Sequence, residues 1–387
     1  MTSKQFLFPD LAQDFLLRPD MTFLNHGSFG ACPRPVFERY QAWQRELEAQ
    51  PVEFLLRRLT GLLADARAQL AAYVGTSAEN VVFVPNATKG TNIVVRSLDL
   101  QPGDEVLGTN HEYGAAERTW RFVCAKRGAK YVSQPISLPV DDPEAAVEEF
   151  WQGVTERTRV IFVSHITSPT ALTLPVAQIC QRAKEAGILT VIDGAHVPGQ
   201  LDLALDELGA DFYTGNCHKW LCAPKGSAFL YASPERQALL EPLVVSWGWE
   251  SRNPSGSPFI DYLEWVGTND PAAYLTVPAA IEYQTKHNWA EVRRACHQFG
   301  VQLRDDIQAI AGLPHIMPAD DRWWMQLVAV PIATDDPELL KHRLWDEYRV
   351  EVPIITWEDR TFVRVSLQAY NSVDDGQRLV EALKQLL

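Results

Sequence analysis

Short apolar runs alternate with amphipathic helical patterns between about residue 80 and residue 230. Apolar runs rich in β-branched residues, with helices between them, are typical of a mostly parallel β-sheet covered by helices. One connecting segment, 175–186, has apolar residues at 176, 179, 180 and 183, and Gly187 follows where a helix would end. This segment predicts a crossover helix. The predicted strands are 81–84, 105–108, 160–164, 189–192, 212–214 and 228–231.

A loop rich in Ser, Pro and Gly at 251–258 follows this α/β region. A mixture of helical patterns and apolar strands comes after the loop and indicates a smaller α+β domain. We therefore predict an N-terminal segment (1–20) that packs with the small domain, a large domain (21–270) and a small C-terminal domain (271–387). In the last of these, the pattern predicts helices over 277–311, 337–348 and from about 372, and strands at 326–330 and 361–366.

Composition excludes several classes of protein. The 387 residues are 46% hydrophobic and 22% charged, which predicts a chain that folds throughout. A formal net charge of −14 opposes general attraction to nucleic acid or to an anionic membrane. No apolar stretch is long enough to span a bilayer, and Asp10 and Asp14 interrupt the region where a signal peptide would be apolar. The six scattered cysteines are expected to be free thiols in a reducing cytoplasm, with no zinc or other metal site.

Lys219 is the most informative candidate for chemistry. It follows an apolar run and lies 26 positions (219−193) after Asp193, which ends another apolar run. A lysine amine can form a Schiff base with an aldehyde cofactor, and a carboxylate beside a pyridine nitrogen keeps that nitrogen protonated. Each residue alone would be an ordinary residue at the end of a strand. Together they predict a site for pyridoxal 5′-phosphate.

The segment after the first predicted strand favours an anion site. Asn86, Ala87 and Thr88 lie there and run directly into an amphipathic helix. Free backbone N–H groups at the start of a helix, together with a threonine hydroxyl, can bind a phosphate. Asn86 or Thr88 is equally explained as a helix cap, and both functions can coexist. The Gly-x-Gly-x-x-Gly pattern of a dinucleotide site is absent, which disfavours a nicotinamide dehydrogenase.

Further candidates follow the other predicted strands. His111 and Tyr113 supply two flat rings that could cover a planar cofactor. Ser168 offers a hydroxyl to a phenolic oxygen or to a substrate carboxylate. His196 and His218, which stand close in sequence to the aspartate and the lysine described above, could reach the ring oxygen and the phosphate of the cofactor. Each of these histidines also has an alternative interpretation as a packing residue.

Taken in order along the chain, these motifs resemble those of fold-type I pyridoxal-phosphate enzymes of aminotransferase class V. The resemblance extends from residues 24–30 to residues 364–366, and its most specific part is the aspartate and the His-Lys pair combined with the Asn-Ala-Thr turn. It implies a large domain with a mostly parallel sheet of the seven-stranded type, covered by helices, and a smaller α+β domain. It also implies a homodimer with shared active sites, in which Thr268 of one subunit meets the phosphate bound by the other.

The resemblance also assigns roles to individual residues. Lys219 is expected to form the Schiff base with the cofactor, and Asp193 is expected to pair with the pyridine nitrogen. Ser168 and His196 are expected near the ring oxygen and the substrate. Arg364 resembles the arginine that binds the substrate α-carboxylate, a task suited to its planar bidentate group. The expected phosphate contacts come from Asn86, Ala87, Thr88 and His218.

Residues 25–30 and 111–115 are similar to those of isopenicillin N epimerase and its relatives, which include hercynylcysteine sulfoxide lyases. This similarity places Asn25 and His26 with the substrate. Residues 349–362 contain no cysteine, which disfavours a persulfide-forming desulfurase. Asn216 stands where many desulfurases have a serine near the phosphate.

The implied reaction starts when Lys219 takes the α-proton of a bound amino acid. Return of a proton from the opposite face gives epimerisation, loss of a β-sulfur group gives C–S cleavage, and protonation at the cofactor gives transamination. Tyr113 or His111 is the candidate second acid for epimerisation. An isopenicillin N epimerase-like enzyme acting on a small-molecule substrate, an amino acid or amino-acid derivative, is the leading hypothesis. A cysteine-conjugate or cysteine-sulfoxide C–S lyase is the second, and a cofactor-binding scaffold without turnover is the third.

Overall fold

A seven-stranded sheet forms the centre of the large domain. The computed structural model describes residues 4–387, so the first residues of the predicted segment 1–20 lie outside the described part. In space the strand order is β1-β7-β6-β5-β4-β2-β3, and only β7 runs antiparallel to its neighbours. In chain order these strands are β1 (Val81–Val84), β2 (Glu105–Thr109), β3 (Lys130–Gln134), β4 (Thr158–Ser164), β5 (Leu189–Asp193), β6 (Phe212–Asn216) and β7 (Ala228–Ala232).

The prediction of an α/β fold with a mostly parallel sheet is confirmed. Alternate side chains of a strand point to opposite faces. In β1, Val81 and Phe83 accordingly belong to one buried cluster, while Val82 and Val84 belong to another on the opposite face. Helices cover both clusters, so the large domain has three layers. Because six of the seven strands share one direction, their carboxyl ends meet along one edge of the sheet.

Most connections between the strands are helical. The segment predicted as a crossover helix forms the helix Val176–Glu185, and Gly187 follows it with a φ of +69°. The helices and single turns before residue 270 are Pro9–Ala12, His26–Phe29, Arg34–Ala49, Pro51–Glu53, Phe54–Arg58 (a π-helical turn), Leu59–Val74, Ala78–Asn80, Ala87–Ser97, Gly114–Arg127, Pro143–Trp151, Val176–Glu185, Leu205–Leu208, Gln237–Leu239 and Pro258–Glu264.

A second, antiparallel sheet forms in the C-terminal part. Its strands are β8 (Leu327–Ile332), β9 (Ile354–Trp357) and β10 (Arg360–Ser366), in the order β9-β10-β8. Its last strand, β10, carries Arg364, which contacts Ser168 and Ser28 of the large domain. The helices of this part are Ala272–Leu275, Val277–Lys286, Trp289–Ala311, Pro337–Tyr348 and Val373–Leu386.

Residues 22–25 run along the small sheet. The short strand Thr22–Phe23 pairs in parallel with Val350–Glu351, and Asn25 forms a bridge with Ser366. These pairings carry residues 25–30 into the space between the small sheet and the large domain. The helix Val277–Lys286 packs against large-domain helices. The domain boundaries at 21–270 and 271–387 stay a prediction.

Three further findings apply to residues 4–387. No helix in this range is long and apolar enough to cross a membrane. The six cysteines are all free thiols, and five of them are buried. No group of three or more His, Cys, Asp or Glu side chains is arranged to hold a metal ion within the described part.

Candidate active site

A cavity of about 330 Å³ opens at the carboxyl edge of the large sheet. Its floor includes the last residues of three neighbouring strands, namely Ser164 of β4, Asp193 of β5 and Asn216 of β6. The turn between β1 and the helix Ala87–Ser97 forms one side of it. The cavity brings together nine of the residues predicted for the site: Asn86, Ala87, Thr88, Tyr113, Ser168, Asp193, His196, His218 and Lys219.

Lys219 follows β6 and reaches into this cavity. Its Nζ atom lies 3.2 Å from Nε2 of His196. Burial, together with the positive charge of Arg364, lowers the pKa of Lys219 to about 7, although Asp193 acts in the opposite direction. A large fraction of this amine is therefore unprotonated and nucleophilic near neutral pH, as a lysine that reacts with a carbonyl group requires.

Asp193 has one carboxylate oxygen held and one open to the cavity. Oδ1 accepts a hydrogen bond from the backbone N–H of Ala195 at 2.9 Å, and no donor for Oδ2 is found among residues 4–387. Burial raises the pKa of this carboxyl group, while the Ala195 amide and the charge of Lys219 oppose that change. A buried carboxylate in this position needs a cationic partner. A protonated pyridine nitrogen fits that requirement.

The helix Ala87–Ser97 presents its N-terminus to the cavity. The Asn86 side chain caps this helix by accepting from the Lys89 N–H at 2.9 Å. Oδ1 of Asn216 accepts from the Ala87 N–H at 2.8 Å, so this amide is already engaged, while the amide Nδ2 of Asn216 has no partner among residues 4–387. The cap interpretation of Asn86 therefore holds. The Thr88 hydroxyl, the helix dipole and the Asn216 amide are the groups that suit a phosphate here.

Arg364 comes from β10 of the small domain and is buried. Its Nη1 donates to the backbone oxygen and the hydroxyl of Ser168 at 2.6 and 3.2 Å, and Nη2 donates to the Ser28 hydroxyl at 3.3 Å. Its Nε atom is buried without a hydrogen-bond partner among the described residues. Burial lowers the pKa of Arg364 to about 10, so the group remains a cation at neutral pH. It is a buried cation without an ion-pair partner among residues 4–387, which suits a carboxylate ligand.

His111 does not reach the cavity, contrary to the prediction that it contacts the cofactor or acts as an acid. Its side chain is fully buried, with Nδ1 at 2.8 Å from the Thr170 hydroxyl and Nε2 at 2.9 Å from the Ile136 oxygen. Its ring also stacks on Trp357, with 4.4 Å between the ring centres. Both nitrogens are occupied by structural contacts, so the packing interpretation applies. Tyr113, two residues later, is the aromatic residue of this segment that lines the cavity.

The predicted substrate residues Asn25 and His26 also lie behind the cavity wall. Asn25 donates to the Glu351 carboxylate at 2.7 Å, and its Oδ1 accepts from the Ser28 hydroxyl at 2.5 Å. His26 is fully buried and lies 3.0 Å from the backbone oxygen of Lys219. Both therefore act through neighbours in this structure. Thr268 is exposed and does not line the cavity of its own chain.

Sequence reasoning missed Glu112, which lies under the cavity floor. Its carboxylate accepts from the Ser164 N–H and hydroxyl at 2.9 and 2.6 Å and from the Thr109 hydroxyl at 2.7 Å. Burial raises its pKa to about 7, although these hydrogen bonds oppose the change. One signal for Glu112 was available, an ionisable residue three positions after a buried strand. Ser28 and Phe29 also line the cavity, and the sequence indicates them only as members of the 25–30 motif.

The fold and this set of residues define a pyridoxal-phosphate-dependent enzyme of fold type I. The profile of the family described as "Aminotransferase class-V" matches residues 30–379, and the chain belongs to that family. The chain is 37% identical over 386 residues to an isopenicillin N epimerase of Amycolatopsis lactamdurans, with 96% of each chain covered. It is 33% identical to an isopenicillin N epimerase of Streptomyces clavuligerus, again with 96% of each covered.

Other relatives carry different activities in their names. A probable L-cysteine desulfhydrase of Arabidopsis thaliana is 27% identical, with 95% of this chain and 83% of the relative covered. Among solved structures, a cysteine desulfurase from Thermococcus onnurineus NA1 superposes with a TM-score of 0.82 at 20% identity, covering 100% of this chain and 99% of the other. The cystine C-S lyase C-DES superposes with a TM-score of 0.81 at 22% identity, covering 98% and 99%. At these identities the structures confirm the fold.

Proposed function

We propose that this enzyme epimerises the α-carbon of an amino acid or amino-acid derivative. One observation carries the proposal. A lysine whose pKa lies near neutrality lines the cavity, and a buried arginine with no ion-pair partner among residues 4–387 lies directly behind Ser28 and Ser168 of its wall, so an amino acid could present its α-hydrogen to one and its carboxylate to the other. The identity of 33–37% to isopenicillin N epimerases, over nearly the whole length of each, favours inversion over the other outcomes.

Arg364 binds the substrate α-carboxylate in this proposal. The free Nε atom and the weakly held Nη2 atom give two donors on one edge of the guanidinium, which is the pattern that binds a carboxylate bidentately. Ser168 holds Nη1 with two hydrogen bonds, and the long contact from Nη2 to Ser28 can yield to a bound carboxylate. The α-carbon is thereby fixed in the cavity with its hydrogen available to a base.

Lys219 is the base that removes the α-proton. A large fraction of its amine is unprotonated near neutral pH, and a group with this pKa accepts and releases a proton with similar ease. Bound pyridoxal phosphate supplies an electrophilic carbonyl carbon and a ring that delocalises the negative charge left at the α-carbon. Asp193 keeps the cationic form of the ring nitrogen favourable, because its open oxygen can pair with an N–H. Asp193 is buried, which keeps water away from its carboxylate.

Inversion needs a second acid, and Tyr113 is the candidate. It lines the same cavity as Lys219 and is 48% exposed, so it can exchange its proton with solvent. Tyr113 also acts on Arg364, because its charge when ionised raises the pKa of that guanidinium. His111, the other predicted candidate, lies outside the cavity for the reason given above.

The competing function is a C–S lyase, which the Arabidopsis desulfhydrase relative favours. The same residues would remove the α-proton, and a β-sulfur group would leave before a proton returns. The distinction therefore depends on the substrate side chain and on the second acid.

Proton NMR in deuterated buffer tests these functions. The purified enzyme with pyridoxal phosphate is incubated with L-amino acids, cysteine S-conjugates and cysteine sulfoxides. Exchange of the α-proton with formation of the D-isomer supports epimerisation, whereas release of pyruvate supports the lyase. A chain that binds the cofactor but exchanges no α-proton would be the scaffold without turnover.

Two variants complete this experiment. Lys219→Ala should lose all exchange while the circular dichroism spectrum stays that of the wild type. Lys184→Ala, which removes an exposed lysine from the helix Val176–Glu185, is the matched control and should exchange normally. Equal exchange by Lys219→Ala and the wild type would refute the assignment of the base.

We also propose that the enzyme is a homodimer whose partner supplies Thr268. Three large apolar side chains, Val245, Trp247 and Trp249, are exposed on the loop before the helix Pro258–Glu264, with Trp247 83% exposed. Solvent exposure of such a patch is unfavourable, and a second subunit would cover it. Analytical ultracentrifugation of the wild type and of Trp247→Ser tests this, because the dimer of the variant should dissociate at a higher protein concentration.

The free thiols support the cytoplasm as the proposed compartment.

A further inference from the structure

Three side chains form a continuous hydrogen-bonded series behind the cofactor site. The indole Nε1 of Trp220 lies 3.2 Å from Nδ1 of His196. On the other edge of the same imidazole, Nε2 lies 3.2 Å from Nζ of Lys219. Trp220 directly follows Lys219 in the chain, so the series closes on the backbone of the lysine. The sequence motifs predicted a role for His196 and Lys219 but none for Trp220.

The direction of each hydrogen bond in the series follows from its chemistry. An indole N–H can only donate, so Nδ1 of His196 must be the acceptor and carries no proton. A neutral imidazole with an unprotonated Nδ1 carries its proton on Nε2. That N–H faces Nζ of Lys219, which can accept it only as a neutral amine. If Nζ were an ammonium group, two N–H donors would face each other without an acceptor.

Packing keeps the indole of Trp220 in place. The side chain is fully buried, and the backbone oxygen of Trp220 accepts from the Gln284 side chain at 2.7 Å. The ring of His26 lies against the indole, with 5.0 Å between the ring centres. Nε2 of His26 donates to the Lys219 oxygen at 3.0 Å, and Nδ1 accepts from the Tyr370 hydroxyl at 3.1 Å. The backbone of Lys219 and the indole next to it are therefore held together.

Gly199 shows how tightly this region is built. A Cβ atom added there would lie 2.2 Å from the carbonyl carbon of Trp220 and 2.5 Å from the Leu221 nitrogen. The backbone after the lysine thus has no space to move toward Gly199. An ordinary core tryptophan needs only some acceptor for its N–H. Here the acceptor is the histidine that contacts the reactive amine.

We propose, on the role assigned above to Lys219, that Trp220 is a positioning residue that holds His196 in the Nε2–H tautomer and thereby keeps Lys219 as the neutral, reactive amine. His196 remains the group that touches Lys219, and Trp220 acts only through it. The histidine stays neutral throughout, because burial lowers its pKa well below the ordinary value, with the charges of Lys219 and Arg364 adding to the effect. The effect concerns the lysine alone and operates whenever its amine is free, as it is in the cofactor-free protein.

Nitrogen-15 NMR of the full-length protein, with and without pyridoxal phosphate, tests the tautomer directly. Ring nitrogens with and without a proton differ widely in chemical shift, and the resonances of His196 are assigned by their loss in His196→Gln. The wild type should show the Nε2–H form of His196 in the cofactor-free protein. A proton on Nδ1 in the wild type would overturn the proposal, and this measurement needs no variant of Trp220.

Trp220→Phe provides a second measurement. Without the indole donor, the imidazole can move its proton to Nδ1 and offer Nε2 as an acceptor, which stabilises the ammonium form of Lys219. The pKa of Lys219 should rise by about one unit, as expected for one hydrogen bond to a charged group. The rate at which dinitrofluorobenzene modifies Lys219 at pH 7 in the cofactor-free protein, located by mass spectrometry, should fall roughly tenfold.

Trp43→Phe is the matched control. It removes another buried indole donor, whose Nε1 donates to the Leu275 oxygen at 2.9 Å away from the cavity. This variant should leave both the tautomer and the reactivity of Lys219 unchanged. If the modification rate of Lys219 were unchanged in Trp220→Phe, or fell equally in both variants, the positioning role would be overturned. Neither readout requires turnover, so failure of the epimerase assignment would not be mistaken for failure of this one.

Discussion

Replacing Arg364 with glutamine should weaken catalysis only for substrates that carry an α-carboxylate. Glutamine keeps a donor and much of the volume but removes the positive charge and the bidentate edge. In the structure the guanidinium has a free Nε and a long 3.3 Å contact from Nη2, so a bound carboxylate gains about two charge-assisted hydrogen bonds. At about 1.5–3 kcal/mol for each, the loss is roughly 3–6 kcal/mol. This corresponds to a decrease in kcat/KM of roughly 200- to 25,000-fold.

The assay compares two forms of one substrate. The α-proton exchange rate in deuterated buffer is measured for an amino acid that the wild type exchanges, and for its α-carboxamide. The amide lacks the negative charge, so the wild type and Arg364→Gln should differ with it by less than about tenfold. Arg360→Gln, which changes an exposed arginine on the same strand, is the control and should behave as the wild type with both compounds.

The comparison separates binding of the carboxylate from damage to the fold. If Arg364→Gln lost the same factor with the acid and with the amide, the arginine would support the cavity wall through Ser168 and Ser28 and would not bind the substrate. An unchanged rate with the acid would place the carboxylate elsewhere.

Three further predictions follow from the site and its surroundings. Tyr113→Phe should keep α-proton exchange but lose formation of the opposite isomer, as measured by chiral chromatography; full inversion would remove Tyr113 as the second acid. Glu112 has its folded pKa raised to about 7, so its contribution to stability is complete below its unfolded pKa and is lost as pH rises through 7. Between pH 4.5 and pH 8, the free energy of unfolding measured in urea should therefore fall by about 3 kcal/mol less for Glu112→Gln than for the wild type. Parallel dependence of the two unfolding free energies on pH would contradict this. Gly30→Ala should destabilise the fold by at least about 2 kcal/mol, because φ is +73° and the new Cβ would lie 2.0 Å from the His218 oxygen. Gly61→Ala, where nothing lies within 4 Å, is its control and should unfold at or above the wild-type temperature.

Local signals explain which strands the sequence predicts. β5 and β6 are buried on both faces, so their apolar runs are continuous and their positions were predicted to within two residues. β3 lies at the edge of the sheet with a single buried residue, Tyr131, and it lacks such a run. β9 has two residues in its middle that are not buried, so the same pattern is broken there.

The site residues also fall into two groups, those that local sequence indicates and those that long-range packing places. Asp193 ends a strand, and Lys219 and Thr88 come within four residues of the ends of theirs, so the shared carboxyl edge of the sheet brings them together. The positions of His111 and His26 depend on long-range packing, since their partners Trp357 and Tyr370 lie more than 200 residues away in sequence. Local sequence contains no record of such partners. Trp220 was overlooked because a buried tryptophan after a lysine has no meaning until the neighbouring imidazole is known.

Two segments that lie more than 300 residues apart complete the site together. Residues 22–25 pair with strands near residues 350 and 366, while His26 and Ser28 contact the lysine and the arginine. During synthesis, residues 22–28 must therefore wait for residues 350–366 before they find their native neighbours. A truncated product that stops before β10 would lack Arg364 and the pairing that holds residues 22–25. Such a product could fold much of its central sheet without being able to process an amino acid, so activity requires synthesis to have passed β10.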